Sequence, residues 1–153
     1  MPGILDMSGR SSMLSVMRGS FNDHYRLGAF LGNDALSEMR LCTNMMPIPD
    51  ENGHPMNIRK RFIAKVVAKS RLNRLERQFF QVELSVLKQL RHPGIAHVKE
   101  IFEDERNYFI VTEYYENSMS FLDYLESRGA SLTDSEASRI IQEILEVVQF
   151  CHS

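Results

Sequence analysis

Residues 62–67, Phe-Ile-Ala-Lys-Val-Val, form a strand-length run that is apolar on both faces except for one charge, Lys65. Lys65 shares a strand face with Ile63 and Val67, and lysine is almost never fully buried unless paired. Helical spacing of Phe80, Leu87 and Leu90 predicts a helix over 72–90, ended by His92-Pro93-Gly94. Glu83 falls three residues after Phe80 and four before Leu87, inside that helix's apolar stripe. Two misplaced opposite charges on successive elements suggest that they meet. The alternative is that Lys65 snorkels to the surface while Glu83 marks the edge of the stripe.

Strands are predicted over 25–31 and 39–42, before the turn residues Pro47, Pro49, Asn52-Gly53 and His54-Pro55. Two more are expected over 95–102 and 108–114, joined by a turn at 104–107. A short helix over 121–125 ends near Gly129. The last helix opens with a capping box, Thr133 and Glu136, and its stripe is Ala137, Ile140, Ile141, Ile144, Leu145, Val148 and Cys151. The expected class is α+β: five strands interrupted by one helix, with further helices at the end. Residues 1–22, rich in Ser, Gly and Met, read as a flexible tail, with a weakly amphipathic helix over 13–17 as the minor alternative. Residues 23–115 then form the main lobe, and 116–153 the helices that follow it.

A chain of 153 residues suits one domain, and 43% hydrophobic with 25% charged residues excludes collagen-like and globally disordered classes. A net charge of −2 argues against a general nucleic-acid or anionic-membrane binder. Residues 57–77 hold eight Lys or Arg and one Glu, whereas 100–126 hold eight acids and one Arg. That polarity reads as solvated faces and a surface for docking a protein, ahead of nucleic acid or nuclear import. Cys42, Cys151 and His152 lack metal-ligand spacing, so no metal site is expected. Two cysteines fit a reducing compartment. The N-terminus lacks the apolar core of a signal peptide, being interrupted by Asp6, Arg10 and Arg18, and no run has membrane-spanning length. The expected location is the cytoplasm.

A strand lysine, a glutamate on the next helix, a His-Pro turn and a strand ending in Glu-Tyr together resemble the small lobe of a eukaryotic protein kinase. Ile63-Ala64-Lys65 resembles the strand whose lysine holds the α- and β-phosphates of ATP. The stretch from Glu83 through Ile95 resembles the regulatory helix and the turn after it. Residues 110–114, Ile-Val-Thr-Glu-Tyr, resemble the gatekeeper and hinge, with Thr112 as gatekeeper and the backbone around Glu113 and Tyr115 meeting adenine. Residues 121–125 and 142–153 resemble the first helices of the larger lobe. The flavour is that of the calmodulin-dependent and AMP-activated serine/threonine kinases, and the resemblance covers residues 23–153. It implies ATP with magnesium as cofactor, a protein substrate, Lys65 as phosphate-positioning residue and Glu83 as its anchor.

The resemblance also shows departures. Aligning residues 25–42 with the family places the Gly-rich loop at 32–39, where only Gly32 keeps its glycine. Asp34 and Ser37 stand at the second and third glycines, Leu36 at the usual aromatic and Met39 at the usual valine. A frame using Gly28 and Gly32 keeps two glycines but spoils the match at Leu41 and Cys42. The glycines allow backbone to approach phosphate closely, and Asp34 adds a carboxylate there, so ATP binding is expected to be impaired. Neither His-Arg-Asp nor Asp-Phe-Gly occurs in the sequence, so no catalytic residue is expected in it. The expectation is a kinase domain truncated before its catalytic loop and inactive as the isolated chain. The alternative is a pseudokinase-like interaction scaffold that needs no nucleotide. Self-association through an exposed C-terminal helix is also expected.

Overall fold

The computed structural model describes residues 20–129 and 131–153. The tail helix considered over 13–17 lies outside them. A single helical turn, α1 (Phe21–His24), leads into β1 (Tyr25–Asn33) and β2 (Ser37–Asn44). A two-residue hairpin follows, β3 (Ile48–Pro49) with β4 (Pro55–Met56), and then β5 (Arg61–Ala68). A short 3-10 turn (Lys69–Arg71) precedes α2 (Arg74–Gln89); β6 (Val98–Glu103), β7 (Asn107–Glu113), α3 (Phe121–Ser127) and α4 (Asp134–His152) complete the order.

The main sheet runs β1-β2-β5-β7-β6, with every neighbouring pair antiparallel. The α+β expectation holds, and the position of β5 explains its composition. As the third of five strands it has a covered surface on each side, so both of its faces are apolar. Phe62 and Ala64 point into one core with Tyr25, Cys42, Phe102, Phe109 and Val111. Val67 points into the other, with Leu72, Phe80, Leu84, Ile101 and Ile110, beneath α2. Burial raises the Cys42 thiol to about 12, which keeps it protonated.

Phe21 corrects the boundary of the tail. It is buried in the first core, stacked on Phe109 with centroids 4.5 Å apart and edge-on to Phe102 at 5.7 Å. Such aromatic pairs contribute about 0.5–1.5 kcal/mol beyond their buried area. The folded part therefore includes Phe21 and Asn22. Tyr25 anchors the same corner by donating its hydroxyl to Glu100, and burial and that carboxylate push its pKa upward.

Strands exceed their apolar runs where ladder pairing continues, as in β1 through Asn33 and β2 from Ser37. The strand expected over 95–102 instead starts at Val98, because Ile95 is used in a turn, its N–H donating to His92 O at 3.0 Å. The N-terminus of α2 is set by Asn73, whose side chain accepts from the N–H groups of Leu75 and Glu76 while Glu76 accepts from Asn73 N–H. Buried Asn44 holds the loop containing the small hairpin: its amide nitrogen donates to Met46 O and Ile58 O, and its oxygen accepts from Lys60 N–H.

The α4 capping box at Thr133 and Glu136 forms as expected. No side chain of this helix is buried, and Ile141, Ile144, Leu145 and Val148 of its stripe are exposed. Its contact with the lobe lies on another face. Phe150 packs on His92, rings 5.0 Å apart, and a Cβ on Gly94 would sit 2.5 Å from Val147 Cγ2. Glycine at 94 therefore permits the close approach of helix and turn.

Candidate functional site

Antiparallel register sets the residues around Lys65. Met39 on β2 and Ile110 on β7 lie directly opposite it, so these three share a face. Two residues toward the strand ends, Ile63 lies between Leu41 and Thr112, which continue that face. Helix α2 covers only part of the surface: Phe80 and Leu84 pack with Val67, Tyr108 and Ile110. Thr112, Ile63 and Lys65 are half-buried and Met39 is exposed, so this half of the face is open. The result is a partly open sheet face with one cation, Lys65, near its middle.

The turn between β1 and β2 closes one side. Asp34 Oδ1 accepts from the N–H groups of Leu36 at 2.8 Å and Ser37 at 2.7 Å, and its Oδ2 accepts from Ser37 Oγ at 2.8 Å. Asp34 N–H in turn donates to Ser37 O at 3.0 Å. This is the local bonding that Asp-x-x-Ser spacing favours. Lys65 Nζ then approaches Asp34 Oδ2 at 3.6 Å. The Leu36 N–H, followed by the Ser37 hydroxyl and Ser37 N–H, lowers the Asp34 pKa to about 2, with Lys65 the smallest contributor. The carboxylate is thus fixed by its own turn and presented to the lysine.

Glu83 departs from expectation. It is exposed on α2 and, among the described residues, makes no ion pair with Lys65. The buried line of the helix passes through Phe80 and Leu84, with Leu87 packed beside it, and Glu83 lies to one side. The stripe-edge alternative describes its position, while Lys65 finds its opposite charge on the β1–β2 turn.

On the far side, the chain leaves β7 at Glu113. The Glu113 carboxylate accepts from the Tyr115 hydroxyl at 3.0 Å and raises that phenol's pKa. Tyr115 is exposed; its carbonyl accepts from Ser118 N–H and Ser118 Oγ. Arg61 clamps this segment to β5, pairing with Glu116 and lying 5.1 Å over the Tyr114 ring. Asn117 takes a φ of +60°, which asparagine tolerates better than most residues, and Ser120 then caps α3. Gly32 thus lies on β1, Lys65 on β5, Thr112 and Glu113 on β7 and Tyr115 just beyond it; Lys65 and Thr112 share a sheet face, and among the described residues Glu83 makes no ion pair with Lys65. Arg61, Glu116 and Ser37 were not singled out by sequence reasoning as site residues. The Asp-x-x-Ser spacing was a readable signal for Ser37; the hinge clamp joins residues too distant in sequence to show a pattern.

No group of three His, Cys, Asp or Glu among the described residues is arranged to hold a metal ion, and no described helix is long and apolar enough to cross a membrane. A separate hollow of about 280 Å³, lined by Arg26, Thr43, Asn44, Met45 and Arg59, includes none of the expected site residues.

Residues 53–153 match the family model described as the protein kinase domain. Across 148 residues the chain is 27% identical to the serine/threonine-protein kinase cds1 of Schizosaccharomyces pombe, covering 94% of this chain and 29% of that protein. It is 26% identical over 147 residues to the SNF1-related protein kinase catalytic subunit alpha KIN12 of Arabidopsis thaliana, covering 95% of this chain and 27% of that one. Over 89 residues it is 34% identical to the serine/threonine-protein kinase SIK1 of Rattus norvegicus, covering 58% of this chain and 11% of that protein. The chain thus spans less than a third of the length of each of these relatives.

Proposed function

This chain belongs to the protein kinase family, and from that premise we propose that residues 21–115 are the nucleotide-binding lobe of a serine/threonine kinase and 116–153 the first helices of its larger lobe. The observation that carries the reading is the half-buried sheet face shared by Lys65 and Thr112, with the segment Glu113 to Tyr115 leaving the adjacent strand. In this reading the backbone around Glu113 and Tyr115 meets adenine and Lys65 faces the phosphates. ATP with magnesium would supply the phosphoryl group for a Ser or Thr hydroxyl of a protein substrate.

The hinge side suits a nucleoside, but the phosphate side does not suit a triphosphate. Lys65 is engaged by Asp34, and Glu83 is not beside it. His-Arg-Asp and Asp-Phe-Gly are also absent from residues 1–153, so the purified chain is expected to show no phosphotransfer.

Thermal unfolding with adenosine and with Mg-ATP tests the reading, since a ligand that binds only the folded state raises the melting temperature. A rise with adenosine that survives Lys65→Ala supports a nucleotide lobe. No rise with either ligand would favour a second reading, a kinase-like scaffold without nucleotide, which the Asp34–Lys65 pair also suits. The exposed Ile141, Ile144, Leu145 and Val148 stripe supports self-association in either case, detectable as a concentration-dependent mass in light scattering. An Ile144→Glu variant should lower that mass; a monomer at high concentration in the parent chain would refute it.

A further inference from the structure

We propose that Asp34 is a built-in competitor for nucleotide phosphate: its carboxylate takes the anion seat beside Lys65 and makes this lobe prefer a nucleoside to its triphosphate. The inference rests on the reading of the Lys65 and Thr112 face as a nucleotide site, and it goes beyond that reading by assigning a selectivity and the residue that imposes it.

Three donors hold the carboxylate independently of the lysine: Leu36 N–H, Ser37 N–H and Ser37 Oγ. Ser37 is 1% exposed and Asp34 Oδ2 lies 3.6 Å from Lys65 Nζ, so the anion is carried by a turn anchored in the sheet. Little further ordering is needed for Asp34 to meet Lys65, whereas an incoming phosphate must be ordered on binding. The same backbone N–H groups that could turn toward a phosphate are already bonded to Asp34. The strand neighbours Met39 and Ile110 carry no charge, and among the described residues Asp34 is the one acid paired with Lys65. A phosphate chain entering here meets a fixed negative charge and a lysine whose field is already partly neutralised.

Asp34→Asn removes the charge and keeps the turn, because the amide oxygen can still accept from the Leu36 and Ser37 N–H groups while the Ser37 hydroxyl turns to accept from the amide nitrogen. The first readout needs no nucleotide: the rate at which an amine-reactive acetylating reagent modifies Lys65, followed by mass spectrometry with Lys60 as internal standard. The variant should raise the Lys65 rate roughly 1.5- to 5-fold, the range expected for releasing an exposed ion pair. Salt at 1 M should move the parent rate the same way by screening. Inorganic tripolyphosphate should then protect Lys65 in the variant and leave it reactive in the parent. The second readout is affinity: Mg-ATP should bind the variant roughly three- to tenfold more tightly, with adenosine unchanged. An unchanged Lys65 rate with an unchanged ATP-to-adenosine ratio would overturn the proposal. A faster Lys65 reaction and tripolyphosphate protection, with neither adenosine nor ATP bound by either chain, would uphold the exclusion of phosphate and remove the nucleotide reading instead.

Discussion

The β1–β2 turn and α2 both carry a carboxylate that could meet Lys65, and they differ in how it is held. Asp34 is fixed by three hydrogen bonds from its own turn and reaches the lysine at 3.6 Å. Glu83 stands on a helix whose attachment to the sheet runs through Phe80 and Leu84, and it stays in solvent. The difference teaches that a charge on an apolar strand announces its need for a partner without naming one. The partner that prevails is the one whose position is already determined by local bonding. A helix held mainly by apolar contacts, with one long hydrogen bond from Gln81 Nε2 to the Tyr108 hydroxyl, can sit with its acid turned away at little cost.

The largest effect expected is in the attachment of α2. Leu84→Ala should destabilise the chain by about 2–5 kcal/mol in urea unfolding, as buried leucine truncations do. Glu83→Ala should change stability by no more than about 0.5 kcal/mol, as an exposed position with no ion pair among the described residues does. A comparable loss from both would mean that Glu83 holds the helix, and the comparison would fail.

A smaller effect should come from the turn. Ser37→Ala removes a buried hydroxyl that donates to Asp34 and should cost about 1 kcal/mol. It should also loosen the Asp34–Lys65 approach, seen as faster hydrogen exchange of the Leu36 amide. Unchanged exchange would show that the backbone N–H groups suffice to fix the carboxylate.

The smallest effect is in acid. Asp34 has a folded-state pKa lowered to about 2, below its unfolded value near 4. Its contribution is therefore complete above the unfolded value and is lost as pH falls toward 2. The Leu36 and Ser37 amide resonances should titrate with a midpoint near 2 rather than near 4. A midpoint at the ordinary aspartate value would show that the turn does not hold the carboxylate.

Much of this was legible in sequence because it is local. The apolar strand around Lys65, the Thr133–Glu136 capping box and the His92-Pro93-Gly94 stop depend on near neighbours, and each appears where the pattern put it. Asn73 and Glu76 carry the same capping signal, which corrects the helix start from 72 to 74. Phe21 was hidden because one aromatic in a Ser- and Gly-rich stretch has no periodicity; its burial depends on Phe102 and Phe109, some eighty residues away. The choice between Asp34 and Glu83 was not legible for a related reason. It depends on how α2 is rotated against the sheet, which Phe80 and Leu84 decide through contacts with β6 and β7 residues.

The most direct test of the account is to titrate adenosine and, separately, Mg-ATP into the isotope-labelled chain and follow backbone amides by NMR. The account predicts that adenosine shifts the amides of Thr112, Glu113 and Tyr115, and that Mg-ATP at the same concentration leaves those of Leu36 and Ser37 in place, still bonded to Asp34. Mg-ATP shifting Leu36 and Ser37 in the parent chain, with phosphate displacing the carboxylate from Lys65, would contradict it.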